Sequence, residues 1–122
     1  MDITPQIAPG LKIIQSYQAG CFRINGEKFS GPVMVMDDKV LPWVPSAQGG
    51  IINDDDIRAL KGQVDVLLIG MGGQFSMLPP SQRARFIGIG FQVDIMDTPA
   101  ACRTYNILTM EGRRVAAALH PV

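Results

Sequence analysis

The stretch "VDVLLIG", residues 64–70, decides the fold. After its aspartate it is a short run of branched apolar residues, which suits a strand covered on both faces rather than one with a wet side. Layers on both sides of a sheet imply an α/β architecture. The residues downstream agree. "SQRARFIG" follows Pro79 and Pro80, and a proline in a first helical turn costs no hydrogen bond, so a helix is predicted there. "FQVDIM" reads as a strand, "DTPAACRTYN" as the start of a helix and "RRVAAALH" as a last strand. Helix and strand in alternation predict parallel strands joined by right-handed crossovers, a C-terminal βαβαβ part.

Upstream of the central run, "NDDDIRALKG" carries acids at its start, Arg58 and Lys61 toward its end and Gly62 beyond. That order complements a helix dipole and predicts a short helix. Asp54, Asp55 and Asp56 are read as helix-start residues. As metal ligands they fail, because consecutive helical side chains point in different directions and no histidine is near, so no metal site is expected. Before them come "LKIIQSYQ", "CFRINGEKF", "PVMVM" and "KVLPWV", strand-like and separated by turn signals. Asn25-Gly26 is the strongest of these, since a tight hairpin turn needs positive φ at both central residues. The first third is therefore predicted to be an antiparallel meander, making the whole a mixed α/β layered domain.

At 122 residues the chain has the length of one domain. Apolar residues make up 47% and charged ones 18%, which places the chain among folding rather than disordered sequences. Eleven basic residues balance eleven acidic ones, leaving no excess charge to condense the protein onto phosphates, and no nucleic-acid partner is expected. No apolar run approaches the ~20 residues of a membrane helix. "MDITPQIAPG" lacks the basic and apolar regions of a presequence, so a cytoplasmic location is expected. Cys21 and Cys102 are too few for a disulfide framework and are read as thiols.

Chemistry is sought where parallel strands end, the rim at which open α/β sheets bind ligands. Two features are predicted to meet there. One is the turn Gly70-Met71-Gly72-Gly73, where missing side chains let backbone amides approach a bound group. The other is a helix start with Asp97 or Thr98 as cap and Pro99 in its first turn, which carries partial positive charge. A small anion would rest between them. The alternative is a tight turn and nothing more, because neither a dinucleotide fingerprint nor a P-loop is complete.

With ~100° per residue, Ala100, Ala101, Thr104, Ile107 and Leu108 gather on one helical face, read as the core side. Cys102, Tyr105, Asn106 and Thr109 fall on the other. A thiol early in a helix and beside Arg103 would have its reactive thiolate favoured. Equally, cysteine packs as a small hydrophobe. The lone His120 is not placed beside Cys102 by anything in the sequence, and no catalytic residue is assigned. Trp43 is read as core cover.

"LLIGMG" and "VDIMDTPAACRTYNILTMEGRRVAAALHP" together resemble the signature of the Mth-type domain family of unknown function. That family includes the adipogenesis-associated Mth domain-containing protein and a mitochondrial complex I assembly factor. The resemblance covers nearly the whole chain, is most specific over residues 96–119, and includes Trp43. It implies one three-layer Mth-like domain over residues 1–122 with a mixed central sheet, no established catalysis and, for the mitochondrial member, an assembly role with partner proteins; a protein partner and no cofactor are expected here. By motif, its marked positions are Gly70, Gly72, Asp97, Ala101, Cys102, Tyr105 and Asn106. Met71 departs from the threonine common between the glycines, which removes a hydroxyl that would help hold an anion. The candidate pocket or interaction site therefore comprises the glycine turn with Asp97, Thr98, Cys102, Arg103, Tyr105 and Asn106. Three readings follow: an assembly module, a small anion-binding protein or thiol enzyme using Cys102, or marked residues that only stabilise the fold.

Overall fold

The computed structural model describes residues 10–43, 54–73 and 79–122. Expectations for the N-terminal decapeptide up to residue 9, the "PSAQGG" loop and the stretch "QFSM" lie outside these residues. Among these described residues eleven elements follow in chain order. They are β1 (Ile14–Gln18), β2 (Cys21–Ile24), β3 (Glu27–Ser30), β4 (Val33–Val35), β5 (Val40–Pro42), α1 (Asp54–Arg58), β6 (Val66–Gly70), α2 (Pro80–Ile89), β7 (Gln92–Met96), α3 (Thr98–Met110) and β8 (Val115–Leu119).

Every residue of β6 is buried, as the apolar run requires. Leu67 and Ile69 enter one core with Met34, Trp43, Ile57 and Phe86, beneath α1 and α2. Val66 and Leu68 enter a second with Phe22, Ile24, Ala101 and Tyr105, beneath α3 and the N-terminal strands. β8, "VAAAL", divides in the same way, its alanines allowing elements on both faces to approach closely. The result is three layers around a mixed five-stranded sheet of order β5-β4-β8-β6-β7. β6 is parallel to β7 and β8, and β4 is antiparallel to β8 and β5.

The antiparallel meander is β1-β2-β3, which forms a sheet of its own against α3. Asn25 (φ 50°) and Gly26 (φ 82°) make its two-residue hairpin, with Ile24 opposite Glu27. After Gly31 (φ 81°) and Pro32 the chain leaves this sheet, and the β4–β5 hairpin joins the large one. Asp54 accepts from Gln82 at 2.9 Å and pairs with Arg85, tying α1 to α2. The acids at the start of α1 thus include an inter-helix anchor.

Candidate functional site

β6, β7 and β8 end in register: Gly70 lies beside Met96 on one side and Leu119 on the other. The glycine turn and the start of α3 consequently meet at one rim. Asp97 caps α3, its carboxylate accepting from the Ala100 amide at 2.8 Å. Thr98 is fully buried, and its amide donates to the Gly72 carbonyl at 2.8 Å. Its hydroxyl accepts from the Gly72 amide at 2.9 Å and donates to the His120 carbonyl at 2.6 Å. The Met71 amide donates to Met96, and the His120 amide to Gly70, both at 2.9 Å.

This wiring takes up four of the amides proposed for the anion cradle. The amides of Met71, Gly72, Thr98 and Ala100 already have acceptors, and Pro99 has no N–H to offer. The C-terminal residues lie over the turn as well: a Cβ on Gly72 would come within 3.6 Å of the Pro121 carbonyl oxygen, and one on Gly73 within 3.5 Å of Val122. Gly70 is required by packing. A Cβ there would stand 2.9 Å from both Leu119 Cδ2 and Thr98 Oγ1.

The face assigned to α3 requires correction. Cys102 is 3% exposed and Tyr105 is fully buried, whereas Ile107 is 53% exposed. Two layers touch this helix, the large sheet on one flank and the β1–β3 sheet on the other, so its inward arc is centred on Ala101, Cys102 and Tyr105. A reading from hydrophobicity alone rotated the helix, because a cysteine and a tyrosine counted as polar and an isoleucine as core. Burial also pushes the Cys102 thiol up to about 12, outweighing the opposite influence of Arg103. A thiol held protonated at neutral pH is a poor nucleophile.

Tyr105 and Asn106 act on the chain itself. The Tyr105 hydroxyl donates to the Lys12 carbonyl at 2.8 Å. The Asn106 carboxamide accepts from the Ile14 amide at 2.9 Å and donates to the Ile14 carbonyl at 2.8 Å, so it stands in for a neighbouring strand at the edge of β1. Burial raises the Tyr105 phenol above its ordinary range, with Asp37 and Asp38 adding to the effect. Arg103 faces solvent, and Met71 packs against the α1/α2-side core. The candidate residues thus divide into a rim group (Gly70, Gly72, Gly73, Asp97, Thr98), an inter-layer group (Cys102, Tyr105, Asn106), and Met71 and Arg103 apart.

Sequence reasoning missed the role of His120. Its ring meets that of Trp43 edge-on, centroids 4.9 Å apart and planes at 75°, and Trp43 Nε1 donates to Val33 at 3.0 Å. Burial lowers the imidazole's pKa. The available signal was a histidine directly after a buried strand. Among the described residues no cluster of three or more His, Cys, Asp or Glu side chains could hold a metal, and no helix is long and apolar enough to cross a membrane.

The fold and its internally bonded rim define a small three-layer α/β protein in which Thr98, Tyr105 and Asn106 join layers. The chain belongs to the family described as protein of unknown function (DUF498/DUF598), which it matches over residues 14–120. It is 38% identical to an uncharacterised protein of Rhodobacter capsulatus, over 89% of this chain and 84% of that one. It is 33% identical to the NADH dehydrogenase [ubiquinone] 1 alpha subcomplex assembly factor 3 of Danio rerio, over 89% of this chain but only 64% of the relative's length. In structure it is similar to a Mth938-like domain of Bordetella pertussis, with a TM-score of 0.78, 28% identity, and 99% and 92% of the two chains covered.

Proposed function

We propose that this chain is a non-enzymatic assembly module that works in the cytosol by holding a protein partner. Its likeness to the assembly factor, 33% identity across most of the chain, carries the reading. The buried, protonated Cys102 and the occupied rim amides favour it over a thiol enzyme or an anion cradle between the glycine turn and α3. The partner surface is assigned to the outward side of α3. There Arg103, Ile107 and Met110 project from one face at i, i+4 and i+7, with Ile107 53% and Met110 47% exposed. Two apolar side chains bordered by a cation fit a protein surface with an apolar recess and an acidic rim.

Affinity capture of the tagged chain from its native host is expected to recover one partner reproducibly and in stoichiometric amount. Ile107→Asp, at an exposed position, is expected to cost about 1–2 kcal/mol of that affinity while leaving the circular dichroism spectrum unchanged. Recovery of the bare chain alone, or a partner retained by the variant at full affinity, removes this assignment.

A further inference from the structure

The outer face of the β1–β3 sheet carries a charge arrangement that neither packing nor pairing explains. Side chains alternate along a strand, and directly paired residues share a face. Phe22 and Ile24 are buried, so Cys21 and Arg23 of the same strand point away from the core. Register sets Lys28 opposite Arg23, Ser16 opposite Arg23 on the other flank, and Gln18 opposite Cys21. Two cations therefore stand directly across from one another, an arrangement that destabilises a sheet when nothing neutralises it.

Nothing in this sheet does so. The acid within its strands, Glu27, is paired with the buried Ile24 and so belongs to the opposite face. Neither cation has an ion pair among the described residues, and Arg23 Nη1 donates to the Gly26 carbonyl at 3.3 Å. The face is also concave: Ser16, Gln18, Cys21, Phe22, Arg23 and Lys28 line a hollow of about 90 Å³. That is room for several waters or one tetrahedral oxyanion.

We propose that this hollow binds a phosphate-class oxyanion, with Arg23 and Lys28 supplying charge and Ser16 and Gln18 supplying neutral hydrogen bonds. A guanidinium presents a planar fork that matches two oxygens of such a group, and an ammonium beside it adds a point charge. Bound anion removes the Arg23–Lys28 repulsion, so occupancy also stabilises the sheet. The site is separate from the α3 surface and goes beyond the assembly reading.

Cys21, half-buried in the lining, provides a built-in reporter. Its thiolate displaces iodide from iodoacetate, an anion, or from iodoacetamide, which is neutral, by the same substitution, so the ratio of the two rates reads the local potential. One residue pair along a strand spans ~6.5 Å. Arg23 at that distance and Lys28 on the diagonal of the neighbouring strand, about 7–8 Å away, are expected to raise the ratio about three- to tenfold over a free cysteine peptide at low salt. Arg23→Gln with Lys28→Gln is expected to return it to the peptide's value. Buried Cys102 should stay unmodified throughout, which reports that each variant is folded.

A titration with inorganic phosphate, followed by amide NMR at ionic strength matched with chloride, decides binding directly. Saturable shifts confined to Ser16, Gln18, Cys21, Arg23 and Lys28, lost in the double variant, are expected. A ratio equal to the free peptide's, shifts that chloride reproduces, or shifts that survive the double substitution overturn the proposal.

Discussion

The side chain of Asn106 completes the backbone of Ile14, accepting its amide at 2.9 Å and donating to its carbonyl at 2.8 Å. A helix side chain thereby takes the place of a missing strand, and the contact bridges residues 92 positions apart. Asn106→Ala should cost about 1–3 kcal/mol, since both backbone groups lose their partner in a part-buried place. Asn106→Asp keeps an acceptor for the amide but turns a second oxygen toward the Ile14 carbonyl. Urea unfolding should show it no more stable than the alanine variant at pH 7 and partly recovered at low pH, where the carboxyl can donate.

Gly70→Ala tests the close approach at the rim. The added methyl would meet Leu119 Cδ2 and Thr98 Oγ1 at 2.9 Å and the Thr98 backbone at 3.1 Å. Backbone cannot yield as a side-chain end does. A loss of about 1–3 kcal/mol is expected in thermal or denaturant unfolding. A neutral result would show the rim to be softer than its hydrogen bonds imply.

Cys102 links stability to alkaline pH. Its thiol ionises near 9.0 when free and only at about 12 when folded, so below pH 9 both states hold the proton and no dependence arises. As pH climbs from about 9 toward 12 the unfolded chain loses that proton first, and stability falls. Cys102→Ala should lower stability at pH 7 by about 1 kcal/mol through its cavity and make the alkaline decline shallower. Equilibrium unfolding at pH 7, 9 and 10.5 measures both effects.

His120 and Trp43 make the opposite limb visible. With the folded imidazole's pKa below 6.5, the unfolded chain protonates first as pH falls through that value, so stability falls toward acid. Because Trp43 is the lone tryptophan and touches the His120 ring, protonation should quench its emission with a midpoint below 6.5. His120→Gln should abolish that transition. Persistence of the same midpoint would assign it to another group.

The order of elements was legible because it rests on local signals. "VDVLLIG" has no polar face to expose, Asn25-Gly26 accepts positive φ at both turn positions, and Pro99 with Asp97 marks a helix start. The meeting of the glycine turn with α3 followed from parallel connectivity alone. The rotation of α3 was not legible. Thr98, Ala101, Cys102, Tyr105 and Thr109 form its buried side, yet three of the five carry hydroxyl groups. The burial of Thr98 and Tyr105 depends on remote carbonyls, those of His120 and Lys12, which no helical periodicity reveals.

By itself, then, the sequence determined the layered α/β order, the hairpin and the rim at which turn and helix meet, since propensity, turn chemistry and apolar runs act between near neighbours. Only the tertiary structure decided that rim amides such as those of Gly72 and Thr98 are met by the chain's own groups, that Cys102 is packed away, and that Tyr105 and Asn106 fasten one layer to another. Those outcomes follow from which distant surfaces come into contact, and a polar side chain joins the core when a remote backbone group supplies the hydrogen bond it would otherwise make with water.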